Sequence, residues 1–253
     1  AGNLPTLPSI LENLNRMMAN PRTSTKEVAT LIGNDPALTI KILKVVNSSF
    51  YGITNRVTTV NHAVVILGFN TIRSIVLSTS IFDSLVKGAA NTGDFSRVEF
   101  WRHSVGVGCA AKALARHAGD VNSDDAFVGG LLHDIGKVVM DQHMHEDFEK
   151  VVDMVRRENI LMLEAEDKVM GISHAEIGGL LLEKWAISPK LTGGIEYHHQ
   201  PKEAGDHVYL ASVIHMADIF ARAMRVGNGG DKKIPVIDPF AMERLNVRAE
   251  HFD

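Results

Sequence analysis

Apolar residues recur at helical spacing in one segment after another along the 253-residue chain. Most of these segments are bounded by residues that typically begin or end a helix. Two serines each precede a glutamate by three residues, Ser24 with Glu27 and Ser173 with Glu176. That spacing is the pattern of a capping box at a helix start. No stretch sustains the period-two alternation of a half-buried β-strand. The sequence therefore predicts an all-α protein.

Single residues predict where individual helices begin. Asp35 followed by Pro36 supplies an N-cap and a proline at the first helical position. In the helix that follows, Leu38, Ile42 and Val45 fall on one face, which we expect to be buried.

Further boundaries are predicted by glycine, asparagine and proline. Gly68 ends one helix, and Asn70 caps the next. Gly119 ends a long helix, a new one begins at residues 188–189 (Ser-Pro), and the last major helix begins near His207.

Two short stretches rich in glycine and polar residues divide the chain, at residues 87–94 and 227–233. Such compositions are typical of loops and of boundaries between lobes. We therefore expect an N-terminal helical lobe in residues 1–93, a histidine-bearing helical core in 94–226, and a flexible loop with a C-terminal tail in 227–253.

Charge and hydropathy argue against several kinds of partner. The formal net charge is −4, which does not favour binding to nucleic acid or to an acidic membrane. There is no apolar run of roughly 18 residues and no charged-then-apolar leader. We expect a cytoplasmic protein with no membrane or nucleic-acid partner.

The candidate chemistry is concentrated in residues 133–137, His-Asp-Ile-Gly-Lys. An imidazole and a carboxylate side by side can both turn toward one divalent cation, and the second carboxylate oxygen can reach another. Simpler roles also fit single residues. Lys137 is then a cation near a helix C-terminus, and His215 a hydrogen-bond partner of Asp218.

Histidines and aspartates follow one another in a distinctive order within residues 98–222. The positions are His103, His133, Asp134, Gly136, Lys137, His174, His198, His199 and Asp218. This order resembles the HD superfamily of metal-dependent phosphohydrolases, whose HD-GYP phosphodiesterases have the motif His, His-Asp-x-Gly-Lys, His, His-His, Asp.

This resemblance implies a centre of two divalent metal ions, with Asp134 as the bridge and Lys137 facing a substrate phosphate, both in catalytic roles. The implied ligands are His103, His133, Asp134 and Asp218 for one metal, and Asp134, His174, His198 and His199 for the other. Histidine with bridging carboxylate suits Fe, Mn, Zn or Ni alike.

The chain departs from HD-GYP enzymes directly after the paired histidines. Those enzymes continue with a glutamate and an Asp-Gly-x-Gly-Tyr-Pro run, whereas residues 200–206 here read Gln-Pro-Lys-Glu-Ala-Gly-Asp. The loop associated with hydrolysis of cyclic di-GMP is therefore absent.

Five segments of the N-terminal lobe carry a second likeness, namely residues 4–8, 28–32, 35–38, 43–52 and 63–68. These segments are similar to HDOD proteins, a signalling branch of the superfamily. HDOD domains are regarded as bacterial output modules, often fused to receiver, cyclic-di-GMP-related or kinase domains, and many have lost the HD ligands. The resemblance implies a multi-helix HD core with an N-terminal helical lobe, and a signalling protein or fused regulatory domain as partner.

Three functions remain open at this point. One is a signalling module whose HD pocket binds metal, with a phosphate ester or nucleotide as ligand. Another is an active phosphohydrolase or phosphodiesterase acting on a nucleotide or cyclic dinucleotide. In the third, the histidines form a hydrogen-bonded polar core without metal, which the intact ligand series argues against. We favour the first and keep the second as its alternative.

Overall fold

The computed structural model describes residues 5, 9–18, 20, 22–49, 51–81 and 91–247. Apart from an isolated bridge between Thr92 and Phe95, regular structure in these ranges is helical. The predicted all-α fold is confirmed. The chain divides into two compact units, residues 6–85 and residues 1–5 together with 86–253. No helix in the described ranges is long and apolar enough to cross a membrane.

The smaller unit contains five helices within its described residues. They are α1 Ser9–Met18, α2 Thr25–Gly33, α3 Pro36–Val46, α4 Val60–Leu67 and α5 Phe69–Ile81. The predicted caps at Ser24 and Asp35 are confirmed, since each side chain accepts a hydrogen bond from a backbone N–H of the first turn. Gly68 ends α4 as predicted.

Two details of the smaller unit differ from expectation. Asn70 lies inside α5, which begins at Phe69, so the prediction of an N-cap at Asn70 is wrong. The kink at Gly68, with φ of +79°, already separates the helices and leaves no room for a further cap. In α3 the residue buried after Ile42 is Val46 rather than Val45.

The larger unit carries the histidine-rich helices. They are α6 Arg97–Ala118, α7 Ser123–Leu132, α8 Ile135–His143, α9 His145–Glu158, α10 Met162–Met170, α11 His174–Lys184, α12 Pro189–Glu196, α13 Val208–Ala223 and α14 Pro239–Arg244, with 3₁₀ turns at Pro201–Glu203 and Gly205–His207. Helix α6 packs against α7 and α13. The predicted boundaries at Ser173, Gly119, Ser188 and His207 are confirmed.

Glycine at position 136 allows α8 and α11 to approach closely enough to form the site. A Cβ atom on Gly136 would lie 1.9 Å from the carbonyl oxygen of His174, far inside van der Waals contact. Because α8 follows Asp134 directly and α11 begins at His174, this contact brings the two side chains together.

Residues 224–247, which follow α13, belong to the same compact unit as the histidine-rich helices. Helix α14 is capped by Asp238, whose backbone N–H donates to Nε2 of His215 (3.0 Å).

Of the predicted boundary at residues 87–94, positions 87–90 lie outside the described residues.

Candidate metal centre

Seven side chains from separate parts of the larger unit converge on one point. They are His103 of α6, His133 at the end of α7, Asp134 before α8, His174 at the start of α11, His198 and His199 after α12, and Asp218 of α13. All except His199 are at most 2% exposed. These are the seven positions for which the sequence predicted a shared site.

The seven side chains form two groups with Asp134 between them. Ligand atoms of His103, His133 and Asp218 lie within 4.8 Å of one another, and so do those of His174, His198 and His199. The two oxygens of Asp134 face different groups. Its Oδ2 is 3.2 Å from Nε2 of His133, and its Oδ1 is 3.0 Å from Nε2 of His174.

Backbone carbonyls fix the tautomer of two of the histidines. Nδ1 of His133 donates to the carbonyl oxygen of Gly130 (2.7 Å), and Nδ1 of His198 donates to that of Ile195 (2.7 Å). With the proton on Nδ1, the Nε2 lone pair of each ring points at the centre. This is the usual way in which a metal-binding histidine is oriented.

The centre holds buried acceptors that lack a donor. Nε2 of His133 and of His198, and Oδ1 of Asp134, are buried without a hydrogen-bond partner. Each such atom costs about 1–3 kcal/mol when left unsatisfied. Lone pairs on His133 and Asp134 face each other across 3.2 Å, an arrangement that a cation would stabilise. The donor set therefore fits a divalent metal ion.

Lys137 supplies a positive charge beside Asp134. It lies in the first turn of α8 and is fully buried, so the expectation of a helix C-terminus is wrong. Its Nζ donates to Oδ2 of Asp134 (2.7 Å) and to the carbonyl oxygen of Gly229 (2.9 Å). Burial alone would raise the pKa of Asp134, but the positive charge around it, that of Lys137 included, holds that pKa well below its usual range.

Arg222 has the same role at Asp218. Its Nε donates to both carboxylate oxygens of Asp218 (2.9 and 3.0 Å), and Nη1 donates to Asp231 (2.9 Å). Against the effect of burial, Arg222 and His103 keep the pKa of Asp218 well below its usual range. The predicted pairing of His215 with Asp218 is wrong, because Nδ1 of His215 donates to the carbonyl oxygen of His198.

The histidines of the second group differ in their titration. Burial and the neighbouring imidazoles lower the pKa of His198 and of His199 well below the ordinary value. Burial would also lower the pKa of His174, but the carboxylate of Glu166 raises it. At neutral pH, His198 and His199 are therefore in the neutral form that binds metal.

Similarity to known proteins agrees with this architecture. Residues 4–201 match the HDOD domain family. The chain belongs to the HDOD family. A protein of unknown function from Geobacter sulfurreducens with an HDOD domain has a solved structure that covers 96% of this chain and 84% of its own, with 28% identity and a TM-score of 0.83.

Two further relatives extend this picture of the HDOD protein. A Shewanella amazonensis SB2B protein, described provisionally as a phosphohydrolase, is 25% identical, with a TM-score of 0.75 over 96% of this chain and 90% of its own. An uncharacterised Treponema pallidum (strain Nichols) protein is 28% identical over 87% of this chain. The HDOD chain spans 42% of that relative's length.

Four residues that support the site of this HDOD protein were missed in the sequence, namely Glu166, Arg222, Gly229 and Asp231. Glu166 is fully buried, and its carboxylate accepts hydrogen bonds from both the backbone N–H and Nδ1 of His174. Its position four residues after Met162, on the buried face of α10, is the signal that was available. Gly229 and Asp231 lie in a loop, where no periodicity marks a buried residue.

Proposed function

We propose that this HDOD protein is a bacterial signal-transduction module whose HD-type cluster binds divalent metal. The observation that carries the proposal is that buried acceptor atoms of His133, His198 and Asp134 lack a donor, while the ligand atoms of these three residues lie within 4.8 Å of one another. Family membership supports the signalling role, since HDOD domains are regarded as output modules.

The proposed centre has two metal positions that share Asp134. The division of its two oxygens between the two histidine groups supports this arrangement. The proposed ligands are His103, His133, Asp134 and Asp218 on one side, and Asp134, His174, His198 and His199 on the other.

A bound divalent metal would supply a Lewis acid able to polarise a phosphate oxygen or a water molecule. The protein itself would hold the ligands in a dry, rigid pocket. Nζ of Lys137 donates to Oδ2 of Asp134 and to the carbonyl oxygen of Gly229. Two of its three N–H groups are used in this way, which leaves one for a substrate phosphate.

The alternative is an active metal-dependent phosphohydrolase. The complete ligand series favours it, as does the similarity to the Shewanella protein provisionally described as a phosphohydrolase. Against it stand the family's signalling character and the absence of the Gly-Tyr-Pro loop. We therefore rank catalysis on a nucleotide or cyclic dinucleotide second.

Metal content tests the proposal directly. Protein purified without oxygen and without a His-tag would be analysed by plasma mass spectrometry beside the variant with His133→Ala and Asp134→Ala. The exposed His62 of the smaller unit offers a matched control, His62→Ala. We expect about two metal ions per chain in the natural protein and in the His62 variant, and a large loss in the double variant.

Two other results are informative. Metal absent from all three proteins, even after loading with Fe, Mn, Zn or Ni, would overturn the proposal and leave an interaction module with a polar histidine core. Metal present in the natural protein, together with release of phosphate from nucleotides or cyclic dinucleotides that the double variant lacks, would move the function to the phosphohydrolase.

A further inference from the structure

Two cavities of opposite charge flank the histidine cluster. One has a volume of about 350 Å³, touches His103, and is lined by the cationic side chains of Arg222, Arg225, Lys232 and Lys233. The other, of about 560 Å³, touches His199 and is lined by the carboxylates of Glu164, Asp167, Glu176 and Glu196. Both are within the size range of ligand pockets.

The positive charge of the smaller cavity is not neutralised by the carboxylate that lines it. The acidic residue among those that line the cavity is Asp231. Its carboxylate is buried and already accepts hydrogen bonds from Arg222 and from the backbone N–H groups of Met162 and Lys233. Arg225, Lys232 and Lys233 are exposed. Their charges are therefore available to a ligand in the cavity.

The loop that bears the two lysines is fixed against the centre. Its Gly227 lies so close to α6 that a Cβ atom would be 2.3 Å from the carbonyl oxygen of Glu99, and the N–H of Asn228 donates to that same oxygen (3.0 Å). A Cβ atom on Gly229 would lie 3.2 Å from Oδ2 of Asp134. The cavity thus opens beside the His103 side of the cluster.

We infer that a phosphate-bearing small molecule binds in this basic cavity, with its phosphate held by Arg225, Lys232 and Lys233 and directed toward His103. Clustered guanidinium and ammonium groups recognise phosphate by charge-assisted hydrogen bonds. The carboxylate-lined cavity beside His199 repels the same anion. The inference rests on the proposed metal-binding function and assigns its ligand class and the direction from which the ligand enters.

Equilibrium dialysis of the metal-loaded protein with inorganic phosphate and with adenosine monophosphate tests the inference, and adenosine serves as the probe without phosphate. The variant with Lys232→Glu and Lys233→Glu should bind both phosphate probes about tenfold more weakly or worse. The matched control, Glu164→Gln with Asp167→Asn in the other cavity, should bind them at least as well as the natural protein. Stronger binding of adenosine monophosphate than of inorganic phosphate would indicate a phosphate ester rather than free phosphate.

Metal content measured on the same samples separates the two ideas. Phosphate binding that is equal in the natural protein and the lysine variant, or undetectable in the natural protein, overturns the basic cavity as a ligand site while metal content still supports the metal centre. Binding lost in the Glu164 and Asp167 variant instead would assign the ligand to the acidic cavity and overturn the inference. If the natural protein holds no metal, that result overturns the proposed function itself.

Discussion

Glu166 is the residue on which the orientation of His174 depends. Its buried carboxylate accepts from Nδ1 of His174 (2.6 Å) and from the backbone N–H of the same residue (2.9 Å). A carboxylate in this place fixes the ring and raises the basicity of the opposite nitrogen. His174 therefore depends on a partner eight positions earlier in the chain.

Replacing that carboxylate by an amide should weaken metal binding without unfolding the protein. For Glu166→Gln we expect a loss in metal affinity of about 10–100-fold, the effect typical of partners that orient a metal ligand. The measurement is competition with a chelator of known affinity. Glu164→Gln, exposed on the same helix, is the control, and an equal loss in both variants would contradict the prediction.

Arg222 is the second residue with a large individual effect. It is buried between Asp218 and Asp231, and its removal leaves two carboxylates without their cation. Breaking a buried ion pair from one side costs about 3–5 kcal/mol. We expect Arg222→Met to lower the free energy of unfolding of metal-free protein by about this amount, and added metal to recover part of it. Urea unfolding with and without chelator measures both, and the exposed Arg225→Met should change little.

At the scale of helices, the local signals in the sequence were sufficient for most boundaries. Capping at Ser24, Asp35 and Ser173 involves residues at most three positions apart, so the sequence contains the whole interaction. The placement of Lys137 was wrong because a new helix, α8, begins directly after Asp134. The carboxylate of Asp134 faces His133 and His174 and makes no cap hydrogen bond, so the usual sign of a helix start is absent there.

The same scale explains what sequence could not give. The order of histidines predicted the seven converging residues through family resemblance, but the hydrogen bond from Lys137 to Gly229 spans 92 positions and that from Met162 to Asp231 spans 69. No periodicity encodes such contacts. The loop after α13 takes part in the site only through these long-range contacts, which exist once the helices are packed.

The site depends most directly on how closely helices α8 and α11 approach each other. Gly136→Ala would place a methyl group 1.9 Å from the carbonyl oxygen of His174, so the helices must separate. We expect a destabilisation of about 1–3 kcal/mol, the range for overpacking, together with loss of bound metal. Thermal unfolding and metal analysis measure the two effects. Gly33→Ala, where a Cβ atom meets nothing within 4 Å, should keep both properties.

For the whole molecule, the titration of the buried histidines determines how stability depends on pH. The pKa values of His198, His199 and His215 are lowered, chiefly by burial, whereas in the unfolded chain they return to about 6.5. Below that pH the unfolded state binds protons that the folded state does not. The free energy of unfolding therefore falls as the pH is lowered. The fall begins near the histidine pKa of the unfolded chain and continues toward the lower pKa values of the folded protein. The raised pKa values of His174 and of the exposed His145 oppose this trend, but they are two groups against three.

We expect metal-free protein in chelator to lose thermal stability steadily between about pH 7 and pH 5, because each excess proton in the unfolded state contributes about 1.4 kcal/mol per pH unit. Metal-loaded protein should remain stable to lower pH and then lose its metal near about pH 4.5, because protonated imidazoles cannot bind metal. Scanning calorimetry and metal analysis over the same pH series test both. A melting temperature of metal-free protein that stays flat or rises toward pH 5 would mean that the buried histidines take up protons in the folded state. Metal fully retained at that acid limit would show that the ion is not held by imidazole.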